Sequence, residues 1–204
     1  MNIRLETKED YREVENLVRE SFWNIYKPGC VEHFLVHKLR SHPDFIPELD
    51  FILEKDHKII GQCLFMKGTV QEDNGMVIPV LTLGPICIHP DYQKQGLGKY
   101  LLDHAIIYAK ELGYGAICLE GNREFYKHSG FDYASKYDLY YQDVPRNEET
   151  PFFLCCLLKE DYLDGISGEY KVSDAYYVSD EDVEAFDQSF PYKEKLKLPG
   201  QLFE

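Results

Sequence analysis

With 204 residues, 44% of them hydrophobic and 14% aromatic, the chain suits one domain, or one domain plus an appendage, around a sizeable core. Its 16 Tyr and 12 Phe exclude disorder throughout, because disordered chains are poor in aromatics. Thirty-six acidic against 22 basic residues give a formal net charge of −14, a surface that repels nucleic acid and anionic lipid, so neither is an expected partner.

The predicted elements in chain order begin with a short strand at Asn2 to Glu6. Thr7, with Asp10 three residues on, forms a weak capping box before a helix whose Tyr11, Val14, Leu17, Val18 and Phe22 recur at helical spacing. A second helix is expected over Val31 to Arg40 with Phe34, Leu35 and Leu39 inward; Pro43 and Pro47 then open a loop. Leu49 to Leu53 and Lys58 to Phe65 flank the turn Glu54 to His57 and predict a hairpin. Met76 to Ile88 is a long β-rich stretch in which Pro79 and Pro85 predict breaks or a bulge.

The longest helix follows a glycine-bearing loop, with Leu101, Ala105, Ala109 and Leu112 as its apolar stripe and Gly113 at C′. Ala116 to Glu120 predicts a strand and Arg123 to His128 a short helix stopped by Gly130; Tyr137 to Gln142 and Pro151 to Leu158 predict a closing strand pair. The order implies an α+β fold of three layers, α/β/α, with a mixed, mostly antiparallel sheet and helices on both faces. From Pro151 onward 12 acidic residues face 5 basic ones. Residues 159–204 are therefore expected to form an ordered acidic C-terminal extension packed on a domain of residues 1–158. Within it, Glu169 to Val172 is a candidate strand and Ser179 a helix N-cap.

The six cysteines show no CxxC spacing and mostly sit among apolar residues, which predicts buried free thiols in a reducing compartment and no metal site. The first residues lack the apolar stretch of a signal peptide, and the longest apolar run, Phe152 to Leu158, is far short of the roughly 20 residues a membrane helix needs. No membrane partner and a cytoplasmic location are the expectations.

The most informative stretch runs from Leu83 to Leu102: a strand containing Pro-Ile-Cys-Ile-His-Pro, a short loop, then Gln93-x-x-Gly96-x-Gly98 opening a helix. Glycines at a helix N-terminus let a ligand approach main-chain N–H groups that, with the helix dipole, suit a pyrophosphate. The spacing is wrong for a P-loop, and Leu101 stands where a dinucleotide fingerprint has its third glycine. The stretch resembles motif A of the GNAT superfamily of acyl-CoA N-acyltransferases. Downstream, Leu119-Glu-Gly-Asn-Arg-Glu-Phe-Tyr126-Lys-His-Ser-Gly130-Phe131 resembles motif B of that family. The likeness covers roughly residues 1 to 158, most specifically 83 to 131.

The resemblance implies a GNAT-like sheet, acetyl-CoA as acyl donor, no metal, and transfer of an acetyl group to a primary amine by direct attack. It implies that Ile86, Cys87 and Ile88 pair their main chain with the pantetheine arm. The loop of Gln93, Lys94, Gln95, Gly96, Leu97, Gly98 and Lys99 would cradle the pyrophosphate, Asn122 would contact the cofactor arm, and Tyr126 would protonate the departing thiolate. An N–H of Ile86 or Ile88 is the expected oxyanion donor. The general base stays open among Glu120, Glu48, Asp50 and a water relay, Glu120 being preferred with Tyr126 as a catalytic residue; the motif A strand itself carries no glutamate. Cys87 is expected to contribute backbone rather than thiol, and His89 to be a turn residue. The expected acceptor, a small-molecule or peptide amine, would meet Trp23, Tyr26, Phe45 and Tyr140; a homodimer is left open. The alternative is a catalytically inactive CoA-binding module for sensing or assembly.

Overall fold

The computed structural model describes residues 1–202. Nine strands form one sheet: β1 (Asn2–Leu5), β2 (Phe51–Lys55), β3 (Lys58–Glu72), β4 (Val77–Ile88), β5 (Ala116–Glu120), β6 (Asp132–Tyr133), β7 (Leu139–Tyr141), β8 (Phe153–Leu157) and β9 (Gly168–Lys171). Their order is β1-β2-β3-β4-β5-β8-β6. The edge of β3 away from β4 is shared by β2 at one end and β9 at the other, and β9 in turn pairs in parallel with β7. All other pairs are antiparallel except β4 with β5.

Alternation along the strands gives each face of the sheet a core. On one face Phe51, Leu53, Cys63, Phe65 and Ile88 meet Leu101, Leu102, Ala105 and Ala109 of α3 (Leu97–Glu111). On the other, Ile52, Leu64, Met66 and Cys87 meet Val14, Leu17 and Val18 of α1 (Tyr11–Phe22) and Leu35, Val36 and Leu39 of α2 (Glu32–Leu39). Three layers result, as the sequence predicts. All six cysteines are buried and free.

Local signals hold at several element ends. Asp10 precedes α1 and accepts from both the N–H and the hydroxyl of Thr7, at 2.8 and 2.7 Å, while Arg4 grips the same carboxylate. The first hairpin turns at Asp56 and His57, both with positive φ, a tighter turn than the four residues expected. Pro79 breaks nothing: it opposes Thr69 within continuous β4, on a stretch where β4 has no second strand neighbour to miss its N–H. Pro85 behaves as expected, because Gly84 and Pro85 together oppose Leu64 and form a bulge.

The expected closing pair does not form. β8 fills the free edge of β5, where its apolar Phe-Leu-Cys-Cys-Leu is covered on both faces, and β7, with half-exposed tyrosines, lies beside β9 at the rim. The acidic C-terminal stretch thus supplies a strand of the sheet. It continues into α5 (Asp180–Asp187), capped by Ser179, whose hydroxyl accepts from Asp182 N–H at 3.1 Å. Phe34, expected inward, is half-buried against Phe186 of α5. Buried Arg19 donates to Asp187 at 2.6 Å, and Trp23 Nε1 donates to the carbonyl of Glu194 at 2.8 Å, tying the C-terminal segment across α1.

Candidate active site

The parallel ladder between β4 and β5 is two residue pairs long, Leu81 with Ile117 and Thr82 with Cys118. Beyond the bulge β4 follows β3 while β5 follows β8, so the two strands part. A cleft of about 900 Å³ opens there, walled by β4 from Thr82 to Ile86, by Glu120 to Glu124 and Tyr126, and by Phe22, Tyr26, Glu32 and Leu35 of the first two helices and their connection.

Strand geometry sets what β4 offers this cleft. His89 N–H bonds to Ile60 of β3 at 2.8 Å. By alternation the main-chain groups of Ile86 and Ile88 point to the opposite, strandless edge, whereas those of Cys87 point to Gln62 of β3. The Ile88 carbonyl already accepts from Gln93 Nε2 at 3.0 Å and Ser21 Oγ at 3.3 Å, which leaves the N–H of both isoleucines and the carbonyl of Ile86 on the open edge. Cys87 departs from its expected role, since its main chain is turned to β3 and its thiol lies in the core, pushed up to about 12 by burial.

The glycine loop lies past Ile88, at the far end of the same edge. Lys94 and Gly96 both have positive φ, 60° and 78°, and Gly96 is the residue at the N-cap of α3. The first intrahelical bond is Tyr100 N–H to the Gly96 carbonyl, so the N–H groups of Leu97, Gly98 and Lys99 precede any helical acceptor. A Cβ on Gly96 would meet nothing within 4 Å, while one on Gly98 would reach 3.1 Å from the Phe125 ring. The side chains are mostly occupied elsewhere: Gln93 on Ile88, Gln95 on the Asp91 carbonyl at 3.4 Å, Lys99 on Asp103, and Leu97 in the core. Lys94 is exposed and has no ion pair among the described residues. His89 is the turn residue expected, its Nδ1 accepting from Asp91 N–H at 3.2 Å.

On the β5 side, Asn122 caps α4 (Arg123–Tyr126) by accepting from Glu124 N–H at 2.9 Å, and its amide nitrogen makes no hydrogen bond among the described residues. Gly121 is required by packing, because a Cβ there would come within 2.4 Å of the Tyr126 ring. That ring is edge-on to Phe125 and Phe131, with centroids 4.8 and 5.6 Å away. The Tyr126 hydroxyl has no hydrogen-bond partner among the described residues, and burial pushes its pKa upward, so the phenol keeps its proton. Glu120 is exposed at the end of β5 and accepts from the Tyr141 hydroxyl at 2.5 Å.

Other expected residues lie elsewhere. Asp50 is buried next to Gln62, its carboxyl pushed up by burial and by Glu6, and neither it nor Glu48 lines the cleft. Tyr26 does; Trp23 serves the C-terminal segment, Phe45 bridges to Met66 beneath α2, and Tyr140 lines a separate hollow of about 410 Å³. Sequence reasoning missed Glu32, Tyr170 and Tyr176. The two tyrosines come from the segment expected to be peripheral, and bind Thr82 Oγ1 at 2.6 Å and the Gly84 carbonyl at 2.7 Å. Leu202, hydrogen-bonded to the Tyr26 carbonyl at 2.9 Å, reaches the rim of the same cleft. Among the described residues no cluster of His, Cys, Asp and Glu could hold a metal ion, and no helix is long and apolar enough to cross a membrane.

Comparison with known proteins agrees with this geometry. Residues 48–133 match the model of the acetyltransferase (GNAT) domain. A GNAT family N-acetyltransferase of Escherichia coli (YhbS), crystallised with CoA, superposes with a TM-score of 0.74 at 26% identity, covering 86% of this chain and 91% of that one. A GNAT family acetyltransferase of Brucella melitensis, crystallised with acetyl-CoA, gives 0.68 at 20% identity over 86% and 97% of the two chains. One from Staphylococcus aureus gives 0.55 at 18% identity over 78% and 99%. No curated protein matches the chain in sequence. The residues that part β4 from β5, the glycine loop and the helix that follows it all fall inside the segment that matches the GNAT acetyltransferase domain.

Proposed function

We propose that the protein transfers the acetyl group of acetyl-CoA to a primary amine. One observation carries the reading: the strandless edge of β4, with the N–H of Ile86 and Ile88 outward, runs from a 900 Å³ cleft to the unpaired amides opening α3. The chain fits the donor at both ends. Gly96 leaves open space where a phosphate would approach, and the N–H groups of Leu97, Gly98 and Lys99 point out of the helix with its dipole behind them. Lys94 adds a positive charge nearby. Ile86 and Ile88 would hold the pantetheine amides as a neighbouring strand would, and Asn122 has a free amide to offer across the gap.

For the chemistry, an N–H of Ile86 or Ile88 donates to the thioester oxygen as charge develops on it. Tyr126 has the right form for a donor to the leaving sulfur, since burial keeps its phenol protonated throughout the working pH range. Glu120, on the far rim and engaged by Tyr141, adds negative charge that favours a cationic acceptor. The aromatic lining of Phe22, Tyr26 and Tyr176 favours it too.

Mixing the protein with acetyl-CoA and a panel of primary amines, and following thiol release, tests the proposal. Amine-dependent release is expected. Tight CoA binding without turnover on any amine would reduce the protein to a binding module.

A further inference from the structure

The cleft is lined by three carboxylates, and they differ in what they are free to do. Glu124 is exposed and paired with Lys127 at 2.5 Å. Glu120 is exposed, and one of its oxygens is taken by Tyr141. Glu32 is half-buried in the first turn of α2. Its Oε2 accepts from the Val31 N–H at 3.0 Å, the carboxylate also bonds its own main-chain N–H, and it makes no ion pair among the described residues. It sits on the wall that α1 and α2 raise over β4. Its charge is felt by Tyr26 and Cys30 in the connection and by Cys87, the residue between the two isoleucines of the open edge.

We infer that Glu32 is the general base that deprotonates the acceptor amine. The inference rests on the transferase reading above and names a residue that motif comparison does not supply. A carboxylate on this wall lines the cleft beside the open edge, which leaves the edge itself to the donor. In the step, Glu32 takes one proton from the ammonium and frees its lone pair, the N–C bond forms, and as the adduct collapses and the C–S bond breaks the nitrogen gives its second proton to water. The electron pair of that bond stays on sulfur, which takes its proton from Tyr126. Solvent then returns one proton to Tyr126 and removes one from Glu32. Burial raises the Glu32 carboxyl above its ordinary range, which brings it closer to the amine it must serve. The titratable groups around it are Tyr26, Lys27 and Cys30 from the connection and Cys87 from β4. Across the cleft stand Tyr126, Tyr176, Glu120 and Glu124.

The test is Glu32→Gln in the full chain, with thiol release measured on propylamine, phenethylamine and lysine amide, beside calorimetric titration with acetyl-CoA and thermal melting. The expected result is a fall in kcat of about 100-fold or more near pH 7, within the range for loss of a general base. Acetyl-CoA affinity and Tm should stay at wild-type values, and the deficit should shrink at alkaline pH, where the amine is already neutral. Wild-type kcat and pH profile in the variant would overturn Glu32 and leave the transferase reading standing. A loss that does not change with pH would overturn it equally. A wild-type protein that binds acetyl-CoA and acetylates none of the three amines overturns both. If Glu32→Gln melts below the assay temperature, Glu32→Asp decides: reduced kcat at unchanged affinity supports the base, unchanged kcat removes it.

Discussion

The hydroxyl of Tyr176 donates to the carbonyl of Gly84 at 2.7 Å, so a residue from the last thirty of the chain holds the bulge at which β4 leaves β5. Tyr170 of β9 shares a hydrogen bond of 2.6 Å with Thr82 Oγ1, two residues before Gly84 on β4. The C-terminal segment is thereby part of the floor of the cleft rather than a cover laid over a finished domain.

Tyr176→Phe removes one buried hydrogen bond and leaves the Gly84 carbonyl short of a donor. A loss of about 1 to 2 kcal/mol in stability is expected, read by chemical denaturation. Turnover should fall with it, since the open edge of β4 loses a fixed point.

Tyr126→Phe keeps the ring that packs on Gly121, Phe125 and Phe131 and removes only the hydroxyl. Thiol release should drop by about 100-fold while calorimetric affinity for acetyl-CoA stays near wild type. Unchanged turnover would remove the phenol as the acid.

Gly96→Val places a branched side chain at φ 78°, a region such residues avoid, and fills the open space in front of the loop amides. Acetyl-CoA affinity should fall at least tenfold by calorimetry, with a stability loss of about 1 to 2 kcal/mol from backbone strain.

His33 gives a pH dependence of stability. It is fully buried, with Nε2 3.2 Å from Asp187 and Nδ1 3.3 Å from the Cys30 thiol; Arg19 and Lys195 also bear on it. Burial lowers its pKa from 6.5 to about 4. Below pH 6.5 the unfolded chain takes up a proton that the fold refuses. The contribution is complete above that pH and is lost as pH falls toward 4, by an amount on the order of 3 kcal/mol. Denaturation midpoints of the wild type against His33→Gln, measured from pH 7 to 4, should converge; parallel curves would contradict the assignment.

The parts of the site built from main chain were legible in the sequence, because glycine spacing and a proline-marked strand encode backbone conformation directly. Gly96, Pro85 and Gly113 take the backbone conformations that their positions predict. Tyr126 was legible for a related reason, its spacing from Gly130 and Phe131 being fixed by one short helix. The floor tyrosines were not, since they arrive by pairing of β9 with β3, a contact across about a hundred residues that no local pattern announces. Glu32 reads locally as an acidic first-turn residue suited to the helix dipole; only the cleft beside it gives it another use. Trp23 reads as a pocket aromatic, but the Glu194 carbonyl and the lysines near it claim the indole.

Titration of isotope-labelled protein with CoA, followed through its main-chain amide resonances, reaches the heart of the matter. The amides of Ile86, Ile88, Gly96, Leu97, Gly98 and Lys99 should shift together and most strongly. Binding that leaves these six unmoved, or an absence of binding at millimolar CoA, would contradict the account.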